Sequence, residues 1–157
     1  MKKRILIDLD VITIAKWLKA DERKKEALLF LERVRKGEFD VYTPYTLIEL
    51  LSRWKHTKLV EDILGFYSVY SKNIINANLV LELARKARIN LPELTKNLVA
   101  AGVKEEDAIL VLISSLFDLD FLVTMNRKHL KNMAEKINRL MIKNKLRPIR
   151  IVFPNEI

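Results

Sequence analysis

Residues 107–130 read DAILVLISSLFDLDFLVTMNRKHL. From Lys104 to Asp118 the sequence is helical and apolar nearly all round, the mark of a helix covered on every side. Phe121-Leu122-Val123 follows, apolar without alternation, which predicts a strand buried on both faces. A buried helix running into a buried strand puts this stretch at the centre of a layered molecule. Two polar residues stand at its margins: Asp107 in the first helical turn, and Asn126 just past the strand.

Working outward, residues 4–8 (RILID) read as a second buried strand. Ala27, Leu28, Phe30, Leu31 and Val34 recur at helical spacing, predicting a helix over 22–36 that Gly37 ends. Val41-Tyr42 is a short strand. Thr43-Pro44 then reads as an N-cap with proline at the first helical position, opening a helix to about Lys55. Leu59, Ile63, Leu64, Tyr67 and Tyr70 mark a helix over 58–71, Ile74-Ile75 a third strand, and 77–88 another helix. Leu91–Gly102 reads as a short helix and a turn, 127–145 as helix, and Arg150–Phe153 as a last strand. Alternating strands and helices, with strands apolar on both faces, predict an α/β fold. The expected form is a three-layer α/β/α sandwich with a central parallel sheet of about four to five strands.

Composition sets the limits. A chain of 157 residues, half of them apolar, suits a single domain over 1–157 with a sizeable core. Cysteine is absent, which excludes disulfides, thiolate metal sites and a cysteine nucleophile. The longest nearly apolar run, Ala108–Phe117, is too short to cross a membrane and contains two serines. The basic start MKKR leads to Asp8 and Asp10, not to the apolar core of a signal peptide, so the expected location is cytoplasmic with no membrane partner. The net charge of +9 is concentrated: Arg127, Lys128, Lys131, Lys136, Arg139, Lys143, Lys145, Arg147 and Arg150 face the single acid Glu135 within 127–150. Such a segment attracts polyanions, nucleic acid foremost, although Lys-rich helices also serve as plain solvated faces.

In open parallel sheets the working site lies beyond the carboxyl ends of the strands, where the strand order switches. The acids there are Asp8, ending the first strand, Glu49, in the helix after the second, and Asp107, before the strand at 121–123. Carboxylates arriving from distant parts of a chain suit a hard cation such as Mg²⁺ or Mn²⁺, which takes few protein oxygens and keeps its waters. Each acid also has a structural reading. Asp10 can N-cap a helix beginning at Val11. Glu49 can pair with Arg53 four residues on, although Leu47, Ile48, Leu50 and Leu51 around it suggest shielding from solvent. Asp107, with Glu105 and Glu106, can offset a helix dipole.

Asp8-Leu9-Asp10 after an aliphatic strand also resembles the first motif of haloacid-dehalogenase-type phosphatases, with Thr124 as the hydroxyl. That chemistry needs a further acid pair for Mg²⁺, and after Thr124 the only acids are Glu135 and Glu156.

The sparse order of Asp8, Glu49 and Asp107, with the stretch DAILVLISSLFDLDFLVTMNRKHL and the ending IRIVFPNEI, resembles the PIN-domain family over essentially the whole chain. Within it the chain is most similar to VapC-type toxins and their stand-alone archaeal relatives. The resemblance implies an acidic pocket that binds Mg²⁺ or Mn²⁺ and cuts RNA. Asp8, Glu49 and Asp107 would be both catalytic and metal-binding. Asn126 would be a fourth ligand where the family usually has an acid, a departure that leaves a non-cleaving RNA- or protein-binding module as the alternative. Asp10 falls where the family often has Asn and partly replaces the missing charge, and Thr124 would orient its neighbours. Residues 127–147 read as a basic helical insertion gripping RNA through Arg127, Lys128, Lys136, Arg139 and Lys143. The resemblance further implies an antitoxin partner and a homodimer.

Overall fold

A computed structural model describes residues 1–157. Its strands β1 (Lys3–Ile7), β2 (Phe39–Pro44), β3 (Ser71–Ile75), β4 (Phe121–Val123) and β5 (Ile151–Val152) form one five-stranded sheet in the order β3-β2-β1-β4-β5. Every pairing is parallel. The chain steps outward from β1 to β3, then returns to the other side of β1 for β4 and β5. Right-handed crossovers running in opposite directions place their helices on opposite faces. Accordingly α1 (Leu9–Trp17) packs on α2 (Glu22–Arg35) and α4 (Thr57–Tyr70), while α7 (Glu105–Leu116) packs on α5 (Ala77–Lys86) and α6 (Leu91–Ala100). The short α3 (Tyr45–Ser52) follows β2, and α8 (Ala134–Lys143) links β4 to β5. The fold is the expected α/β sandwich with an all-parallel sheet.

Ile5, Leu6 and Ile7 of β1 are fully buried, as are Leu122 and Val123 of β4. α7 is the buried helix its sequence predicts. Its two serines are satisfied inside the fold: Ser114 donates to the Leu110 carbonyl and Ser115 to the Arg147 carbonyl, each at 2.7 Å. Phe66 and Tyr67 belong to the core, whereas Trp17 is exposed and meets the His56 ring edge-on at 4.4 Å.

Several boundaries differ from the sequence expectation. The helix after β1 is capped by Asp8, not Asp10: the Asp8 side chain accepts from the Leu9 N–H at 2.8 Å. The Asp8 backbone is extended, and its N–H still donates to the Val123 carbonyl at 2.9 Å. Sheet pairing therefore runs to Asp8, and the helix begins at once. Thr43 does not cap α3. β2 continues through Pro44, and the buried Thr43 hydroxyl donates to Ser71 Oγ at 2.6 Å. α3 then ends at Ser52, short of Lys55. Leu91–Gly102 carries a full helix, α6, whose N–H at Glu93 is capped by Asn90 at 3.2 Å. The helix expected over 127–145 is broken. A π-helical turn (Arg127–Lys131) precedes α8, with the Lys131 N–H donating to the Asn126 carbonyl and Asn132 to Arg127 at 3.0 and 2.8 Å.

Candidate active site

The strand order switches between β1 and β4, and the segments leaving their carboxyl ends carry the polar cluster. Asp8 and Asp10 follow β1; Thr124, Met125 and Asn126 follow β4. Parallel register aligns Ile7 with Val123, so Asp8 and Thr124 emerge side by side. The buried Thr124 hydroxyl donates to Asp8 Oδ2 at 2.9 Å and lies 3.4 Å from Asp10 Oδ2. It accepts in turn from the Asn126 N–H at 3.0 Å, while Asp10 Oδ1 accepts from the Met125 N–H at 3.1 Å. Asp107 reaches the cluster from the first turn of α7, where Asn126 Nδ2 donates to its Oδ2 at 3.4 Å.

These carboxyls sit in a poorly solvated place, each near another acid. Asp8 is 8 % exposed; burial first, and then the Asp107 charge, push it up to about 6. The hydrogen bonds from Thr124 and Leu9 pull the other way. Asp10 is pushed up to about 7 by burial and by Asp8. Asp107 is pushed up to about 6 by burial, Asp10 and Glu106, and Lys104 opposes this. Burial and the charges of Asp8 and Asp10 also raise Tyr67 well above the usual phenol value. Tyr67, from α4, donates to the Ile7 carbonyl at 2.7 Å and so fixes the end of β1 directly beneath Asp8.

Glu49 stands apart. It is exposed on α3, contrary to the shielding its apolar flanks suggest, because those flanks occupy other sides of the helix. Nor does it pair with Arg53. Instead it lines a small cleft of about 170 Å³ with Arg53, Glu105, Glu106 and Thr46, whose buried hydroxyl has no partner. The acids that the fold gathers are thus Asp8, Asp10 and Asp107. Asn126 holds its carbonyl oxygen to the His129 N–H at 2.9 Å, capping the π-helical turn, so its amide group faces Asp107 as a donor.

No trio of acidic or histidine side chains is spaced to enclose a metal ion. The donor set does not fit an all-protein cage. It does fit a hydrated Mg²⁺ or Mn²⁺, which needs only one or two carboxylates and otherwise water or phosphate. The raised pKa values show why a cation suits the place: no cationic side chain offsets Asp8 or Asp10.

Arg127 and Lys128 line a cleft of about 500 Å³ together with Asp10 and Asn126. Sequence reasoning missed Arg23, from the first turn of α2, and Phe153, both of which line the same cleft. Lys136, Arg139 and Lys143 are exposed along one side of α8 and line no cavity with the acids. No helix is long and apolar enough to cross a membrane.

An all-parallel five-stranded sheet of this order, switching between β1 and β4 and flanked by helices, is a PIN-like fold. Among solved structures, a chain of the VapBC2 complex from Rickettsia felis, crystallised bound to a DNA fragment from its promoter, superposes with a TM-score of 0.54. The two are 13 % identical, over 96 % of this chain and 98 % of that one. Neither a protein-family model nor a curated protein matches the sequence.

Proposed function

We propose that this chain is a metal-dependent endoribonuclease. The observation that carries the reading is the convergence of Asp8, Asp10 and Asp107 at the switch point, with ionisation held back toward neutral pH. Asp8 and Asp107 would hold Mg²⁺ or Mn²⁺, with Asp10 adding charge. The bound ion would supply Lewis-acid chemistry, offsetting the phosphate charge and acidifying water. Thr124 aims the Asp8 carboxylate through its 2.9 Å hydrogen bond, and Asn126 turns Asp107. Arg127 and Lys128 would contact the RNA, with an affinity that falls as salt rises. Glu49, on its separate cleft with Glu105 and Glu106, reaches such an ion only through water or a second ion.

A second reading, a non-cleaving module that holds RNA or a protein, is favoured by one observation. The Asn126 carbonyl is committed to His129 and adds no charge or ligand. In a toxin–antitoxin setting, an antitoxin segment would dock in the apolar groove of about 430 Å³ between α5, α6 and α7, lined by Val80, Leu81, Leu91 and Ile109. Antitoxin and homodimer both belong to the toxin form of the nuclease reading. The phosphatase alternative lacks its metal-binding acid pair: Glu156 is tied to Lys131 at 2.8 Å.

The test is unfolding stability with Mn²⁺ against EDTA, alongside cleavage of single-stranded RNA, for the wild type, Asp8→Asn, Asp107→Asn and Glu49→Gln. A ligand at about 100 times its Kd adds about 2.7 kcal/mol, or several degrees at roughly 2–4 °C per kcal/mol. Stabilisation and cleavage that vanish in Asp8→Asn and Asp107→Asn support the nuclease. Millimolar Mn²⁺ without effect on the wild type would overturn it in favour of the binding module.

A further inference from the structure

The cleft beside Asp10 carries more information than the charge of the basic segment. Arg23, at the start of α2, and Arg127 and Lys128, after β4, line it together with Asp10. Arg23 and Lys128 are exposed, and neither forms an ion pair. The opposing acids are Asp10 itself and Glu26. The Arg127 guanidinium lies over the half-buried Phe153 ring, 4.8 Å from its centre, and Lys131 approaches the same ring at 5.3 Å. Cation and ring both line the cleft, and together they offer it a platform.

Platform and unpaired cations complement different parts of one ligand. Arginine planes and aromatic faces receive nucleobases, and unpaired cations receive phosphates. A volume of about 500 Å³ falls within the roughly 300–1,000 Å³ typical of small-ligand sites, enough for one nucleotide. A duplex keeps its bases stacked inside and has no free base face to offer. We propose that this cleft is a nucleotide subsite for single-stranded RNA, with Arg23 and Lys128 on the phosphate beside the scissile one and the Arg127–Phe153 platform under the base. The inference rests on the nuclease reading for which phosphate is cut. It places strand selection at this cleft, not along α8.

Binding is measured by fluorescence anisotropy in EDTA, using a short 5′-labelled single-stranded RNA and a duplex of the same sequence. The proteins are the wild type, Arg23→Glu, Phe153→Leu and Phe153→Trp. Loss of one base stack weakens binding about tenfold, which is the result expected for Phe153→Leu, with Phe153→Trp restoring it. Arg23→Glu weakens binding further and lowers the salt slope by about 1. The duplex binds less tightly and does not respond to Phe153. Variants that bind like the wild type, or a duplex bound as tightly as the single strand, would overturn the subsite. Cleavage of the same strand in Mn²⁺ is followed separately. Cleavage with binding indifferent to Arg23 and Phe153 sinks the subsite and leaves the nuclease. Binding that depends on them without cleavage does the reverse, and neither binding nor cleavage ends both.

Discussion

Thr124 and Asp8 lie 116 positions apart in sequence, yet the threonine hydroxyl donates to Asp8 Oδ2 at 2.9 Å, wholly buried. The Thr124 hydroxyl oxygen accepts in turn from the Asn126 N–H at 3.0 Å, so one hydroxyl links the segments that follow β1 and β4. Thr124→Val keeps the shape and removes both bonds. A hydrogen bond to a charged group contributes about 1.5–3 kcal/mol, and the denaturation midpoint in urea at pH 8 falls accordingly. The Asp8 carboxyl, observed by NMR titration, moves further up, because Thr124 lowers it.

Stability depends on pH in an uncommon direction. Asp8, Asp10 and Asp107 have folded-state values of about 6, 7 and 6 against 3.8 for the ordinary carboxyl. Between those limits the folded protein holds more protons than the unfolded chain, so these groups destabilise the fold progressively as pH rises from about 4 to above 7. In EDTA the melting temperature falls across that window. Each proton that only the folded chain retains removes roughly 1.4 kcal/mol of stability per pH unit climbed. Millimolar Mn²⁺ flattens the profile. Below the window, protonation of Glu156, held down by Lys131 and the Phe153 N–H, removes stability instead. Melting curves that rise steadily from pH 5 to 8 in EDTA would contradict the geometry.

Asn126→Asp places a fourth carboxylate where the amide now donates to Asp107 at 3.4 Å. The new side chain can still accept from His129, so the π-helical turn survives. Like charges at this distance repel by a few kcal/mol at an effective dielectric constant of about 20. The variant is less stable in EDTA, by about 1–2 kcal/mol after solvent relaxation. Calorimetry shows it binding Mn²⁺ more tightly than the wild type, by about tenfold, the equivalent of 1.4 kcal/mol.

Reversing Lys136, Arg139 and Lys143 to Glu changes exposed side chains only, and folding stability stays within about 0.5 kcal/mol per substitution. Affinity for RNA of any sequence falls, with a shallower salt dependence. The sites of cleavage do not move, because these residues line no cavity with the acids. Gel mapping of products at two salt concentrations checks both statements.

The fold was largely legible because its signals are local. Phe121-Leu122-Val123 is β4 to the residue, and the apolar spacing from Ala27 to Val34 gives α2, which Gly37 closes at φ +78°. Where the reading slipped, competing local chemistry or tertiary contact decides. Asp8 and Asp10 are both competent caps; sheet pairing of the Asp8 N–H selects the first. Thr43 has a cap-forming side chain, yet β3 offers Ser71 as its partner. The break after Asn126 needs the i to i+5 bonds of a π-helical turn, which no periodicity announces. For the cluster, Asp8, Asp10 and Thr124 were visible because strand ends are visible, and Asp107 because it opens a helix that is otherwise apolar nearly all round. The exposure of Glu49 was misjudged, since apolar neighbours in sequence are not neighbours around a helix. Arg23 gave no signal at all, being one cation among many on an amphipathic helix until the crossover brings it to the cleft that Arg127 also lines.

The central position of β1 has a consequence for how the protein is made. Its partner β2 follows within about 40 residues, but Asp8 meets Thr124 only when 116 further residues have been synthesised. Contacts of such long sequence separation form late and slowly. While the ribosome is still translating, the nascent chain holds Asp8 and Asp10 without their partner from β4. The carboxylate cluster is therefore incomplete until the segment that carries β4 has been made and has paired with β1.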